Sequence, residues 1–247
     1  MDSQHASPVD KSPERIRQMF DVVAPRYDFL NHFLSLGIDR SWRSRTARQL
    51  IQSGDGDVLD VCCGTGDLSL AFLKRQQKQQ INRAIYGIDF SSEMLEIARK
   101  KAQRFSALHF STADALDLPF DENRFALVAV AFGLRNVHDT QRGLAEMFRV
   151  CKPGGTVAVL DFSMPTLPIL RQCYQFYFRV VLPRLGQLIG KNRNQAYNYL
   201  TESVLQFDRP EQLVERLSQL GMTDVQMKPM TFGVVTLVWG QKGRHGR

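Results

Sequence analysis

The residues best suited to chemistry surround two glycines, Gly64 and Gly66, which follow a short apolar segment. Glycines at the carboxyl end of a strand let a ligand approach the backbone, at the edge where open α/β sheets bind ligands. A dinucleotide-binding GxGxxG pattern is disfavoured, because Ser69 stands at its third glycine and Asp67 would repel a diphosphate. A ligand with a cationic sulfonium and an amino group tolerates that acid. Asp60, inside the apolar segment, could orient such an amino group directly or through water.

Two further acids follow the next predicted strands. Asp89 could accept hydrogen bonds from both hydroxyls of a ribose, and Asp114 could accept one from an adenine amino group beside the backbone of Ala115. Taken alone, Asp89 could be a helix cap, and the two glycines could form a plain turn. Their succession at strand ends predicts a nucleoside cofactor.

The elements that must position these residues alternate between strand and helix. Apolar runs predict strands at 57–61, 84–89, 108–111, 125–132 and 156–162, with helices at 67–77, 91–104 and 140–151 and a turn at 153–155. This alternation predicts βαβ units and a parallel sheet. A helix at 210–220 and apolar runs at 223–227 and 231–239 follow, and the two runs predict an antiparallel edge.

The domain organisation follows from the same pattern. Residues 1–13 are expected to be a flexible N-terminus, and 14–240 a single domain that begins with helices over 14–53, broken by Pro25 and Gly37. The alternation stops over 163–207, where a helical lid insertion is predicted. Residues 241–247 form a basic tail.

Composition narrows the setting. The formal charge of +7 favours anionic surfaces or ligands, and 162–201 contains no Asp or Glu. The four cysteines show no CxxC pairing or zinc-ligand spacing, so we expect reduced thiols and no metal site. The N-terminal segment has no apolar core and no apolar run could span a bilayer, so we expect a cytoplasmic protein without a signal peptide.

Several motifs together resemble the menaquinone/ubiquinone C-methyltransferase family. They are FDVVAPRYDFLN at 20–31, SLGIDRSWR at 35–43, FGLRNV at 132–137, RVCKPGG at 149–155 and LDFS at 160–163. The glycine loop resembles motif I of class I methyltransferases, and the likeness spans nearly the whole chain. It implies a Rossmann-like α/β fold with a doubly wound, mostly parallel seven-stranded sheet, and S-adenosylmethionine as the cofactor.

The resemblance also implies a branch of the family and a set of residues that contact the cofactor. Cys-Cys-Gly at 62–64 is similar to the branch that methylates 2-phytyl-1,4-naphthoquinone in phylloquinone biosynthesis, and since no transit peptide is visible, a cyanobacterial enzyme matches better than a plastid one. The family pattern places cofactor contacts at Thr65, Asp89, Asp114 and Ala115. It usually has Ser at the position of Ala131, so a contact there would be lost or made by backbone.

For such an acceptor, the ring carbon is nucleophilic only in the quinol, and more so after a hydroxyl loses its proton. Arg135 and Asn136 fit the group that stabilises the phenolate or positions a water base, with a structural salt bridge as the alternative for Arg135. His138 is a further candidate proton acceptor, because histidine side chains can exchange protons near neutral pH. Tyr27 and Asp28 could close over the cofactor from the N-terminal helices.

The acid-free stretch is expected to hold the prenyl tail. Leu170, Cys173, Tyr174, Tyr177 and Val181 recur at helical spacing, which fits either a lid over a prenyl cleft or an ordinary amphipathic helix. Basic residues beside aromatics suit peripheral contact with an anionic membrane. The lid could also pair with a second copy to give a homodimer.

The predicted function is therefore methylation of a demethylphylloquinol ring, with a demethylmenaquinone or a ubiquinone precursor as the alternative acceptor. An RNA methyltransferase is disfavoured, because no Asn-Pro-Pro-Tyr-type motif or RNA-binding module is present, and we expect no nucleic-acid partner.

Overall fold

A seven-stranded sheet forms the centre of the computed structural model, which describes residues 12–51, 56–165, 167–176, 180, 199 and 202–244. The strands are β1 (Val58–Val61), β2 (Ile85–Asp89), β3 (Leu108–Thr112), β4 (Phe125–Ala131), β5 (Cys151–Phe162), β6 (Met222–Met230) and β7 (Val235–Lys242). Their order is β3-β2-β1-β4-β5-β7-β6. Neighbours are parallel from β3 to β5, and β7 runs antiparallel to both β5 and β6. The predicted doubly wound fold is confirmed.

Helices cover both faces of this sheet. Before β1 come α1 (Pro13–Val23), α2 (Tyr27–Leu34) and α3 (Ile38–Leu50); then α4 (Asp67–Lys78), α5 (Ser92–Ala102), α6 (Thr140–Val150), α7 (Pro168–Phe176) and α8 (Pro210–Gln219). A short 3₁₀ turn at Ala24–Arg26 separates α1 from α2, and a turn around Gly37 precedes α3. In the described part of the chain no helix combines the length and hydrophobicity that a membrane span requires.

The core lies in two apolar layers. Trp42, Phe72 and Leu237 belong to the cluster on one face of the sheet, and Leu144 and Leu217 to the cluster on the other. All four residues of β1 are buried, as expected for a central parallel strand that is covered on both faces. The core thus fixes the carboxyl ends of β1, β2 and β4, and the order of the strands along the chain reverses between β1 and β4.

The predicted turn at 153–155 is wrong. Strand β5 begins at Cys151 and includes these residues, with a register shift against β4 between Phe125 and Leu127. A Cβ on Gly155 would lie 2.8 Å from the sulfur of Cys151, so only glycine allows this irregular segment to stay in the sheet.

Only part of the predicted lid can be described. Leu170 and Tyr174 on α7 are half-buried, and Arg171 is exposed and donates a hydrogen bond to the carbonyl of Pro165 at 3.1 Å. Tyr177 and Val181 lie outside the described residues, as does the side chain of Cys173.

Candidate active site

A cleft opens at the carboxyl ends of β1, β2 and β4. With its open mouth it contains about 1090 Å³ of empty space, enough for a cofactor, since ligand pockets usually have about 300–1000 Å³. Most of the predicted site residues line it: Tyr27, Asp60, Gly64, Thr65, Asp89, Asp114, Ala115, Ala131, Asn136 and His138. Gly66 and Arg135 do not line it.

The two glycines of the loop have different surroundings, which explains why Gly64 lines the cleft and Gly66 does not. Gly64 has φ +54°, and among the described residues no atom beyond its chain neighbours lies within 4 Å of where its Cβ would be, so its open side allows a ligand to approach the backbone. Gly66 has φ +81°, and its Cβ would lie 3.2 Å from Cβ of Ala98 and 3.1 Å from the ring of Phe110. Gly66 therefore packs the loop against α5 and β3, outside the cleft lining, instead of facing the predicted ligand.

Asp89 connects the loop to the next helix. One carboxylate oxygen accepts a hydrogen bond from the amide of Gly64 at 2.8 Å, and the other accepts one from the amide of Ser91 at 2.9 Å. Burial raises the pKa of Asp89 to about 6, although these amides oppose the shift. Each oxygen retains a second lone pair, so the carboxylate can still accept from a ligand hydroxyl.

Asp60 has one satisfied and one unsatisfied oxygen. Its Oδ2 accepts a hydrogen bond from the hydroxyl of Ser69 at 2.6 Å, while Oδ1 is buried and has no partner in the described protein. Burial raises the pKa of Asp60 to about 7. Ser69, which interrupts the dinucleotide pattern, thus orients the acid, and a cationic amine in the cleft would complete its hydrogen bonding.

An ion cluster fixes the N-terminal helices to the glycine loop. Lys101 contacts Asp28 at 2.5 Å and Asp67 at 2.7 Å, and its Nζ donates to the Thr65 hydroxyl at 3.0 Å. The Thr65 hydroxyl in turn donates to Asp28 at 2.5 Å. Because Asp28 follows Tyr27 on α2, this cluster holds Tyr27 at the edge of the cleft. Sequence reasoning had assigned no role to Lys101.

The far wall of the cleft comes from the segments after β3 and β4. Asp114 accepts a hydrogen bond from the amide of Leu116 at 2.9 Å, which orders the turn around the buried Ala115. Ala131 ends β4 and lines the cleft, and His138 lies in an exposed part of the same wall.

Arg135 forms a buried ion pair, which is the structural alternative raised from the sequence. Its Nη1 donates to Oδ1 of Asp161 at 2.8 Å and to the carbonyl of Phe132 at 2.5 Å. Burial raises the pKa of Asp161, and Arg135 offsets part of this effect. Nε of Arg135 and Oδ2 of Asp161 are both buried with no partner among the described atoms. Asp161 could have been identified from the sequence as an acid inside an apolar segment that is predicted to be a strand.

A second pocket adjoins the cleft and includes Arg135. Phe20, Tyr27 and Asn136 line both spaces, and apolar side chains of α1 and α2 form most of the second pocket. At its polar end the hydroxyl of Tyr199 donates to Oδ1 of Asn136 at 3.1 Å. Sequence reasoning had not singled out this contact of Tyr199. The second pocket is therefore mostly apolar, with Arg135, Asn136 and Tyr199 at one end, and it lies beside the polar cofactor cleft.

The cleft residues fit the cofactor that the sequence implied. The orphaned oxygen of Asp60 suits an ammonium group, Asp89 suits ribose hydroxyls, and the open side of Gly64 leaves room for the remaining chain. Asp67 is paired with Lys101, so the acid next to the loop is neutralised within the protein.

Comparison with known proteins identifies the family. Residues 9–242 match the ubiE/COQ5 methyltransferase family. The chain is 41% identical over 232 residues to the ubiquinone/menaquinone biosynthesis C-methyltransferase UbiE of Geotalea daltonii, covering 93% of this chain and 97% of that protein. It is 38% identical over 246 residues to the demethylmenaquinone methyltransferase of Deinococcus radiodurans, covering 98% and 100%.

Solved structures agree on the fold. A SAM-dependent methyltransferase from Thermotoga maritima superposes with a TM-score of 0.64 at 16% identity, covering 92% of this chain and 99% of that one. Family and fold together confirm S-adenosylmethionine as the cofactor. The chain therefore belongs to the ubiE/COQ5 methyltransferase family.

Proposed function

We propose that this protein methylates a ring carbon of a prenylated naphthoquinol, with 2-phytyl-1,4-naphthoquinol as its acceptor. Demethylmenaquinol and a ubiquinone precursor are the alternatives, which the names of the relatives from Deinococcus radiodurans and Geotalea daltonii favour. The resemblance of the segment at 62–64 supports the phytylated acceptor, and Cys62 does line the cleft.

The observation that carries the proposal is the shared wall of the two spaces. An acceptor ring in the second pocket would meet the cofactor cleft beside Asn136, Tyr27 and Phe20, because these residues line both. Alignment of reacting groups across such a boundary supplies much of the acceleration of a methyl transfer.

The cofactor supplies an electrophilic methyl group on a sulfonium. We assign its amino group to Asp60, its ribose to Asp89 and its adenine to Asp114 and the Ala115 backbone. Gly64, Thr65, Tyr27 and Ala131 would border it, and Gly66 would hold the loop in shape. Bound there, the cofactor would supply its methyl group to the ring carbon of the acceptor, and that carbon would then give up its proton.

Arg135 and Asn136 would act on the acceptor. A quinol hydroxyl that loses its proton becomes a phenolate, and the fixed positive charge of Arg135 would stabilise it. Asp161 would position the guanidinium, and Nε of Arg135, which has no partner among the described atoms, could bind the acceptor oxygen or a water that takes the proton. His138, at the exposed rim, is the alternative proton acceptor.

We propose one catalytic domain over 14–240 with a prenyl-covering lid over 163–207, in peripheral contact with anionic lipid. A homodimer through the lid is a hypothesis that light scattering would test.

Methyl transfer to purified acceptors tests the substrate class. Detergent-solubilised 2-phytyl-1,4-naphthoquinone, demethylmenaquinone and a ubiquinone precursor should be compared under reducing conditions. A higher kcat/KM for the phytylated compound supports the branch assignment, and a higher value for either of the others replaces it.

A further inference from the structure

We propose that the outer face of α2 and the following turn form a docking surface for an anionic phospholipid bilayer. This inference rests on the proposed function, because it explains how a lipid acceptor reaches the second pocket. Its residues belong to α2 and the turn that follows, not to the segment 163–207 of the proposed lid.

The surface exposes large apolar side chains next to one another. Phe29 is 65% exposed, Phe33 is 52% exposed and Leu36 is 85% exposed. The two rings stack with centroids 6.0 Å apart and planes 14° from parallel. Clustered exposed apolar residues of this size mark interaction surfaces. We call Phe29, Phe33 and Leu36 the apolar face.

A buried network holds this face rigid. Asp39 accepts hydrogen bonds from the hydroxyl of Ser35 at 2.8 Å and from Arg43 at 2.6 Å, and its carboxylate lies 2.8 Å from Nδ1 of His32. Burial raises the pKa of Asp39, but these three partners outweigh it and leave the pKa below its usual value. The turn therefore presents Leu36 on a fixed frame, in a left-handed conformation with φ +52° that costs a leucine energy.

The charges from the end of α1 to the end of α3 suit an anionic surface. Arg26, Arg40, Arg45 and Arg48 are exposed. The acids between residues 25 and 50 are Asp28 and Asp39, and both are paired, with Lys101 and Arg43 respectively. Exposed aromatic side chains on a surface that also carries basic residues are typical of interfacial membrane binding. A second copy of the same basic surface would be repelled across a two-fold interface, which favours lipid as the occupant.

The same helix connects the face to the acceptor site. Leu30, Asn31 and Leu34 line the second pocket, while Phe29 and Phe33 face outward. Tyr27, at the start of α2, lines both the second pocket and the cofactor cleft. A bilayer against the apolar face would therefore lie one helix away from the apolar pocket.

Vesicle binding of the full chain tests the proposal without any acceptor present. The probes are phosphatidylcholine vesicles with and without phosphatidylglycerol, and the variant is F29S/F33S with M227S/F232S as its matched control, since Met227 and Phe232 are also exposed. We expect F29S/F33S to weaken binding to anionic vesicles by about tenfold or more, because interfacial affinity scales with buried apolar area. The control should bind like the parent.

Charge variants test the electrostatic part of vesicle binding independently. R45Q/R48Q should weaken binding to anionic vesicles by about fivefold per cation, and K100Q/R104Q should have a smaller effect. Light scattering of each variant reports assembly. Equal binding by F29S/F33S and its control, or a change of oligomeric state in place of a change in vesicle affinity, would overturn the proposal.

Two further measurements keep the outcome clear. The fluorescence of F33W should be quenched by vesicles with brominated acyl chains more than that of F232W, a readout that does not depend on a loss of folding. Turnover of F29S/F33S on a detergent-solubilised acceptor should match the parent. If the parent protein bound vesicles through the apolar face but transferred no methyl group, only the proposed function would be refuted. If the parent protein transferred the methyl group but F29S/F33S bound vesicles as the parent does, only the docking surface would be refuted.

Discussion

The guanidinium of Arg135 and the carboxylate of Asp161 form an ion pair at 2.8 Å, with 6% and 2% of their side chains exposed. Arg135 follows β4 and Asp161 lies in the neighbouring strand β5. The ion pair holds in place Arg135, the cation that the sequence predicts to act on the acceptor. The effects of the pair on stability and on turnover must therefore be separated.

Neutralising one member of this pair is expected to unfold the protein more easily. Arg135→Gln or Asp161→Asn leaves a buried charge without its partner, which costs about 3–5 kcal/mol of the free energy of unfolding. The double variant removes both charges and should regain most of that stability while turnover stays low. Denaturant unfolding and methyl transfer measure the two effects. Recovery of turnover in the double variant would remove Arg135 from the chemistry.

A milder change at the same position separates binding from catalysis. Arg135→Lys keeps a charge but loses the planar fork, so turnover should fall by about 100-fold while cofactor affinity stays nearly intact. Isothermal titration with S-adenosylhomocysteine gives the affinity. An equal loss of affinity and turnover would refute the assigned role.

Asp89 is expected to show the opposite pattern. Asp89→Ala removes a buried acceptor from the amides of Gly64 and Ser91 and from the proposed ribose contact. Cofactor affinity should fall by about 10-fold or more, since hydrogen bonds to a charged group contribute about 1.5–3 kcal/mol. Asp121→Asn, at an exposed position, is the control. An unchanged dissociation constant would exclude Asp89 from the site.

Asp60 should make cofactor binding dependent on pH. Its pKa of about 7 in the folded protein lies above that of an unfolded Asp, so folding stability contributed by this group falls as pH rises between those values. A cationic amine requires the ionised form, so affinity should strengthen as pH rises from about 5 to 7.5, by up to about tenfold per unit. Asp60→Asn should leave only the weaker dependence from Asp89. If the affinity of Asp60→Asn changed with pH in the same way as that of the parent protein, the contact between Asp60 and the cofactor amine would be refuted.

The fold and much of the cleft followed from the sequence because local signals carried them. Gly64, Asp89 and Asp114 each stand at a strand end, and in a parallel sheet these ends meet at one edge. The turn at 153–155 was mispredicted, since only the sheet register shows that Gly155 leaves room for Cys151. The pairing of Arg135 with Asp161 and the contact of Tyr199 with Asn136 link residues distant in the chain, and no local pattern encodes such contacts.

Methyl transfer to 2-phytyl-1,4-naphthoquinone from labelled S-adenosylmethionine, with and without a reductant, tests the central claim most directly. We expect methylated product only with the reductant, because the ring carbon is a nucleophile only in the quinol. Product at equal rates without reductant, or none in either case while the cofactor binds, would contradict the account.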